Sequence, residues 1–250
     1  MQRYFVGEKD INNHQVTIVG DDFHHIVKVM RMMPGDEFEV VCPDKKIARC
    51  TIERIDSTSV LAKILNKRED NRELPIQVAI ASSLIKGDKW EWVIQKGTEL
   101  GASHFFPFTS ARSVVKWDER KASKKVERWG KIAKEAAEQS ERNRIPEVAS
   151  PINIKQLLDK ARNFTKTIVA YEEKARAHES KRLLSVFENL KDEDSLLMIF
   201  GPEGGFSKEE VTLFEEAGFI LCGLGPRILR AETAPLYGLS ALSFYFELQR

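Results

Sequence analysis

Ile199-Phe200-Gly201-Pro202-Glu203-Gly204-Gly205-Phe206-Ser207 leads from a buried apolar run into a loop with three glycines and stops where a helix begins. Ser207 followed by Glu210 has the spacing of a capping box, and Gly218 is placed to end that helix. A strand, a glycine loop and a helix in succession describe the carboxyl edge of an open α/β sheet, where backbone can approach a ligand closely. Phe206 and Ser207 stand where a phosphate-binding P-loop requires glycine and lysine, which excludes ATP or GTP in that mode. The dinucleotide pattern Gly-x-Gly-x-x-Gly is absent as well. Taken alone, the loop reads equally as a tight turn without a ligand.

A second stretch strengthens the ligand reading. Leu224-Gly225-Pro226-Arg227-Ile228-Leu229-Arg230-Ala231-Glu232-Thr233-Ala234-Pro235 follows another short apolar run and packs two arginines, a glutamate and a threonine ahead of the last helix. Arg230 lies between Leu229 and Ala231 and needs an anionic partner if buried, a role open to Glu232. Thr233 is placed to cap the helix, with Pro235 in its first turn, or to contact a ligand.

Working outward, apolar runs at Ile76–Ala81, Phe105–Phe108, Thr167–Tyr171, Leu196–Phe200 and Phe219–Cys222 alternate with helical stretches. Among these are a helix over about Lys89–Leu100, stopped by Gly101, and one over about Arg120–Glu141, with a last helix over about Ala234–Leu248. Before Pro75 the texture differs. From Arg3 to about Leu65, β-branched runs such as Val16–Val19 and Phe38–Val41 surround the turn Pro34-Gly35-Asp36, interrupted by one helical stretch at Asp21–Met32. Asn66–Leu74 is charged and aperiodic and reads as a linker. The expected organisation is therefore a small β-rich domain over 1–70 and an α/β domain over 75–250.

The chain has 250 residues, 42% of them hydrophobic, enough for a real core, and 39 Lys+Arg against 38 Asp+Glu. A formal charge of +1 supplies no global attraction to nucleic acid, so any such surface must be local. Arg112–Arg144, with eleven Lys/Arg and six Asp/Glu, is the strongest candidate, and it is also readable as a solvated helix face. Cys42, Cys50 and Cys222 lack metal-ligand spacing, and no apolar run approaches the roughly 20 residues that span a bilayer. The expectation is a reduced, cytoplasmic protein with no metal and no membrane association.

Four runs in order, Gln95-Lys96-Gly97-Thr98-Glu99-Leu100-Gly101, Glu135–Arg142, Gly201–Gly205 and Leu224–Ala234, resemble those of the RsmE family, bacterial 16S ribosomal RNA uridine-N3 methyltransferases. The amino-terminal stretch with His24-His25, Arg31 and Pro34-Gly35-Asp36 is similar to the family's PUA-like β-barrel. The resemblance implies a SPOUT-type, Rossmann-like parallel sheet whose carboxyl segment forms a trefoil knot, which no periodicity reveals. It further implies a homodimer, S-adenosylmethionine as cofactor, and 16S ribosomal RNA in the assembled 30S subunit as substrate.

Carried onto this chain, the cofactor would contact Tyr171, Glu172, Ile199, Gly201, Glu203, Gly204, Gly205, Leu224, Gly225, Ile228, Leu229, Arg230 and Thr233. Arg230 and Arg142, the latter from a partner chain, are the candidate cations facing the base, with Glu232 or Glu203 as candidate proton acceptors. His24, His25, Arg31, Arg112 and Lys116 are candidate RNA contacts. Two alternatives stay open: a related enzyme modifying another base or a ribose, and a non-catalytic RNA-binding assembly factor.

Overall fold

The structure, a computed structural model, describes residues 1–113, 115, 119–172 and 181–249. The chain divides into two compact units. One is Met1–Glu73 with Ala137–Arg144, and the other is Leu74–Ala136 with Ile145–Arg250.

The first unit is a six-stranded sheet of β1 (Arg3–Phe5), β2 (Ile11–Asn12), β3 (Gln15–Val19), β4 (Glu37–Val41), β5 (Ile47–Ile55) and β6 (Ser59–Arg68), in the order β1-β4-β5-β6-β3-β2. Only the β1–β4 pairing is parallel. Alternating inward residues, among them Tyr4, Val16, Ile18, Phe38, Val40, Ile52 and Val60, form its core together with Ile26 from the helical interruption. That interruption is a short α1 (Gly20–His24) continued by a wider turn over His25–Val29.

Strand β6 runs three residues into the stretch expected to be linker, and charge explains why. Arg68 pairs with Glu39 at 2.6 Å, and Glu39 also holds the buried Arg3 at 2.8 Å. Burial pushes the Glu39 carboxyl up, but hydrogen bonds from Arg68 and Arg3 outweigh it and hold the group below the usual glutamate range. The segment 137–144 is tied into the same unit. Arg3 donates to the Glu141 carbonyl, Asn143 Nδ2 donates to the carbonyls of Lys45 at 3.0 Å and Asp70 at 2.6 Å, and Arg142 pairs with Glu73.

The second unit is built on β7 (Gln77–Ser83), β8 (His104–Thr109), β9 (Glu147–Val148), β10 (Ile152–Asn153), β11 (Lys166–Ala170), β12 (Ser195–Phe200) and β13 (Ile220–Cys222). The order is β10-β8-β7-β12-β11-β13, with β9 on β8, and each of these ladders is parallel. Its helices are α2 (Lys89–Glu99), α3 (Glu119–Gln139, of which Ala137–Gln139 are counted with the first unit), α4 (Ile154–Ala161), α5 (Lys181–Glu188), α6 (Lys208–Glu216) and α7 (Thr233–Ser243).

The strands read as continuous apolar runs because both faces are covered. Val78, Ile80, Met198 and Phe200 point to a core with residues of α2, α3, α5 and α7, while Ala79, Ala81, Leu197 and Ile199 point to one with α4 and α6. Gly97 lets α2 approach β8, since a Cβ there would stand 2.8 Å from Phe105 Cε1. Phe105 is fully buried and cannot give way without disturbing the core. Gly97→Ala should therefore destabilise the protein by about 1–3 kcal/mol in urea unfolding, the usual cost of overpacking. A variant as stable as the parent would show that the contact is not tight.

Candidate functional site

Parallel pairing sends the carboxyl ends of β7, β8, β11, β12 and β13 to one edge of the sheet, where ligands of open α/β folds collect. A cavity of about 270 Å³ opens there, at the ends of β11, β12 and β13. The glycine loop forms one wall, with Gly201, Glu203, Gly204 and Gly205. The opposite wall is Leu224, Gly225, Ile228 and Leu229, and Tyr171 with Glu172 completes the lining. Ser207 caps α6 with its hydroxyl and Glu210 returns the bond, so the glycine loop ends on a fixed point. Gly205 and Gly225 have φ of +68° and +93°, in the left-handed region that favours glycine.

Several expected residues lie elsewhere. Ile199 is fully buried on the face of β12 opposite Phe200, and strand alternation makes Phe200 the residue that lines the cavity. Arg230 and Thr233 are exposed beside the cavity and outside its lining. The carbonyl of Arg230 accepts the amides of Thr233 at 2.9 Å and Ala234 at 3.0 Å, which starts α7 with Glu232 at the N-cap and no side-chain cap. Arg142 is 2% exposed, with its guanidinium on Glu73.

Among the candidate RNA contacts, His24 and Arg31 are exposed, whereas His25 Nδ1 lies 2.9 Å from the Tyr4 hydroxyl. Arg112 lines the cavity. Lys116 lies outside the described residues. Two cations of the basic stretch, Lys125 and Arg128, are paired with Glu91 at 3.1 Å and 2.7 Å. Cys42, Cys50 and Cys222 are buried thiols outside any disulfide, and no group of three potential metal ligands occurs among the described residues. Among those residues no helix is long and apolar enough to cross a membrane.

One residue of this edge was not singled out from the sequence as part of a site. Lys89, at the start of α2, reaches Glu232 at 3.1 Å and Glu203 at 3.9 Å and so joins the two loops. Its only signal was its position at a helix start after a buried strand. Partial burial raises the Glu232 carboxyl, but hydrogen bonds from its own backbone and from Lys89, with the charges of Lys89 and Arg230, bring it below the ordinary glutamate range. The charge fit of the cavity is mixed, with Arg112 and Arg227 as cations and Glu172 and Glu203 as anions, suited to a zwitterionic ligand rather than a polyphosphate.

Residues 72–243 match the family described as RNA methyltransferase domain, and residues 18–65 match RNA methyltransferase PUA domain. The chain is 49% identical over 256 residues to ribosomal RNA small subunit methyltransferase E of Bacillus subtilis, covering 100% of this chain and 99% of that protein. A Legionella pneumophila protein in complex with S-adenosylmethionine superposes with a TM-score of 0.83 at 32% identity, covering 97% of each chain. Ribosomal RNA small subunit methyltransferase E from Neisseria gonorrhoeae, bound to S-adenosylmethionine, superposes with a TM-score of 0.82 at 27% identity over 98% of each chain.

The Lys89 contact makes a test. Lys89→Met should raise the Glu232 carboxyl pKa, read by carbon NMR titration, because the ion pair favours the ionised form. The pair's contribution to stability is present above the ordinary glutamate pKa and is lost as pH falls through the lowered folded value. An unchanged titration would remove Lys89 as the partner.

Proposed function

The chain belongs to the ribosomal RNA small subunit methyltransferase E family, and from that premise we propose that it methylates N3 of a uridine in 16S ribosomal RNA, using S-adenosylmethionine. The observation that carries this reading is the cavity between the two glycine loops at the carboxyl ends of β12 and β13, in a chain that aligns end to end with its relative from Bacillus subtilis. The cofactor supplies a methyl group made electrophilic by its sulfonium. The backbone of Leu224, Gly225, Ile228 and Leu229 and the glycines 201, 204 and 205 would hold it.

Uridine N3 carries a proton, so the base must become anionic at or before transfer, and a fixed cation lowers that cost. Arg230 is the cation in this reading, because Arg142 is buried with its charge already committed to Glu73. Glu232, held ionised by Lys89, serves as the anion that orients this edge, and Glu203 in the lining is the candidate proton acceptor. Pairing hides N3, so the nucleotide must be unpaired or extruded, with His24 and Arg31 of the PUA-like domain as RNA contacts.

The reading includes a 1–70 PUA-like domain, a 75–250 catalytic domain and the trefoil threading of 224–234. Support for the threading comes from the chain's return: after β13, an edge strand, α7 packs back on β12, with the Cβ position of Gly238 3.2 Å from Met198 Sδ. It includes a homodimer too, supported by the exposed apolar residues Tyr237 of α7 and Phe244 and Leu248 of the wider turn over Phe244–Gln249 that continues it. The substrate in this reading is the assembled small subunit in the cytoplasm.

Arg230→Ala should reduce methyl transfer to small subunits by at least about a hundredfold, the scale of losing a charge-stabilising group, while the thermal melt stays unchanged. Near-parental turnover would remove Arg230 from the mechanism. Isolated subunits should be methylated in preference to naked RNA, and the reverse preference would contradict the assembled substrate.

A further inference from the structure

Arg112, itself exposed, lines the cavity from a loop whose backbone is anchored by a partly buried network that a capping box alone does not require. Glu210, 5% exposed, accepts the Ser207 amide at 2.9 Å as the box demands. It also accepts the Ser110 hydroxyl at 3.1 Å and the Ala111 amide at 2.8 Å, both from the loop after β8. The same loop is braced at its far end, where Ser113 Oγ accepts the Ser110 amide at 2.8 Å and lies 2.7 Å from Ser83 Oγ at the end of β7. Between these anchors, Arg112 Nη1 donates to the Gly204 carbonyl at 2.8 Å, and its stem lies over that glycine, 3.6 Å from the Cβ position.

That bond uses one of the five N–H donors of the guanidinium; its charge is felt by the solvent-exposed carboxylate of Glu209, but no hydrogen bond joins the two among the described residues, so the remaining donors stay available to a ligand. A cation that only tracked RNA phosphates would need no such fixing, since phosphate contacts tolerate long, mobile side chains. A planar fork fixed at the rim of a small cavity matches a carboxylate. S-adenosylmethionine carries one anionic group, the carboxylate of its amino-acid end, whereas its ammonium and sulfonium are cations, for which the lining offers Glu172.

We propose that Arg112 is a specificity-determining residue that binds the carboxylate of the cofactor's amino-acid end, and that Glu210 is the positioning residue that holds Arg112 there. The proposal rests on the cofactor reading above and deepens it.

The test is calorimetric binding by the full chain of two ligands, S-adenosylhomocysteine, which has the amino-acid end, and 5′-methylthioadenosine, which lacks it. Arg112→Ala should weaken the first about tenfold and the second by less than about twofold, the scale of one charge-assisted contact. Arg112→Lys should restore part of the loss. Glu210→Gln should shift the ratio of the two affinities in the same direction as Arg112→Ala and add nothing to it in the double variant. Equal weakening of both ligands by Arg112→Ala would overturn the proposal, as would unchanged ligand binding with weaker binding to small subunits, which would make Arg112 a phosphate contact. A parent protein that bound neither ligand would remove the cofactor reading itself.

Discussion

The parallel pairing of β7, β8, β11, β12 and β13 is the constraint on which the site depends. Antiparallel neighbours would send alternate loops to opposite edges of the sheet. Here all five strands release their chains on the same side, so residues from Lys89 to Glu232 meet at one rim. The cost is that both faces of the sheet must be buried, and α2, α3, α5 and α7 on one side and α4 and α6 on the other do this. The site is thus a by-product of how the core is closed.

Carboxylates then do the local fixing. Glu210 joins the loop after β8 to the start of α6, and Glu232 joins the end of the second loop to α2 through Lys89. Each sits where backbone amides or a lysine offset the loss of solvent, so neither is an unpaired buried charge. Glycines let these loops bend close to the cavity, while side-chain bonds from outside stop them moving. The lining accordingly mixes glycines of the loops and alanines with apolar side chains such as Phe200 and Leu224 and the charged groups of Arg112, Glu172, Glu203 and Arg227.

What could be read from the sequence follows the range of the interactions. The strand at 195–200, its glycine loop and the capping box were legible because each depends on neighbours within a few residues. The lining by Tyr171 and Glu172 was accessible only by resemblance, since it depends on β11 lying beside β12. The resemblance places Ile199 with the cavity, yet the two-residue alternation of β12 turns it into the core and presents Phe200 instead. The ties of Arg142 and Asn143 to residues 45–73 left no periodic trace, because they are single long-range polar bonds. Arg112 was legible as a cation and illegible as a cavity residue for the same reason: Glu210 lies 98 positions away in the chain.

The proposed reaction is methyl transfer to a uridine of the small-subunit RNA from a cofactor held between the two glycine loops. The most direct measurement incubates the purified protein with S-adenosylmethionine labelled in its methyl group and small subunits from cells lacking the protein. Nuclease digestion and mass spectrometry of the RNA then locate the label. A single labelled nucleoside, 3-methyluridine, is expected in the small-subunit RNA. Label on another base or on ribose would contradict the assigned chemistry, and folded protein that transfers no label to these subunits would contradict the claim of catalysis.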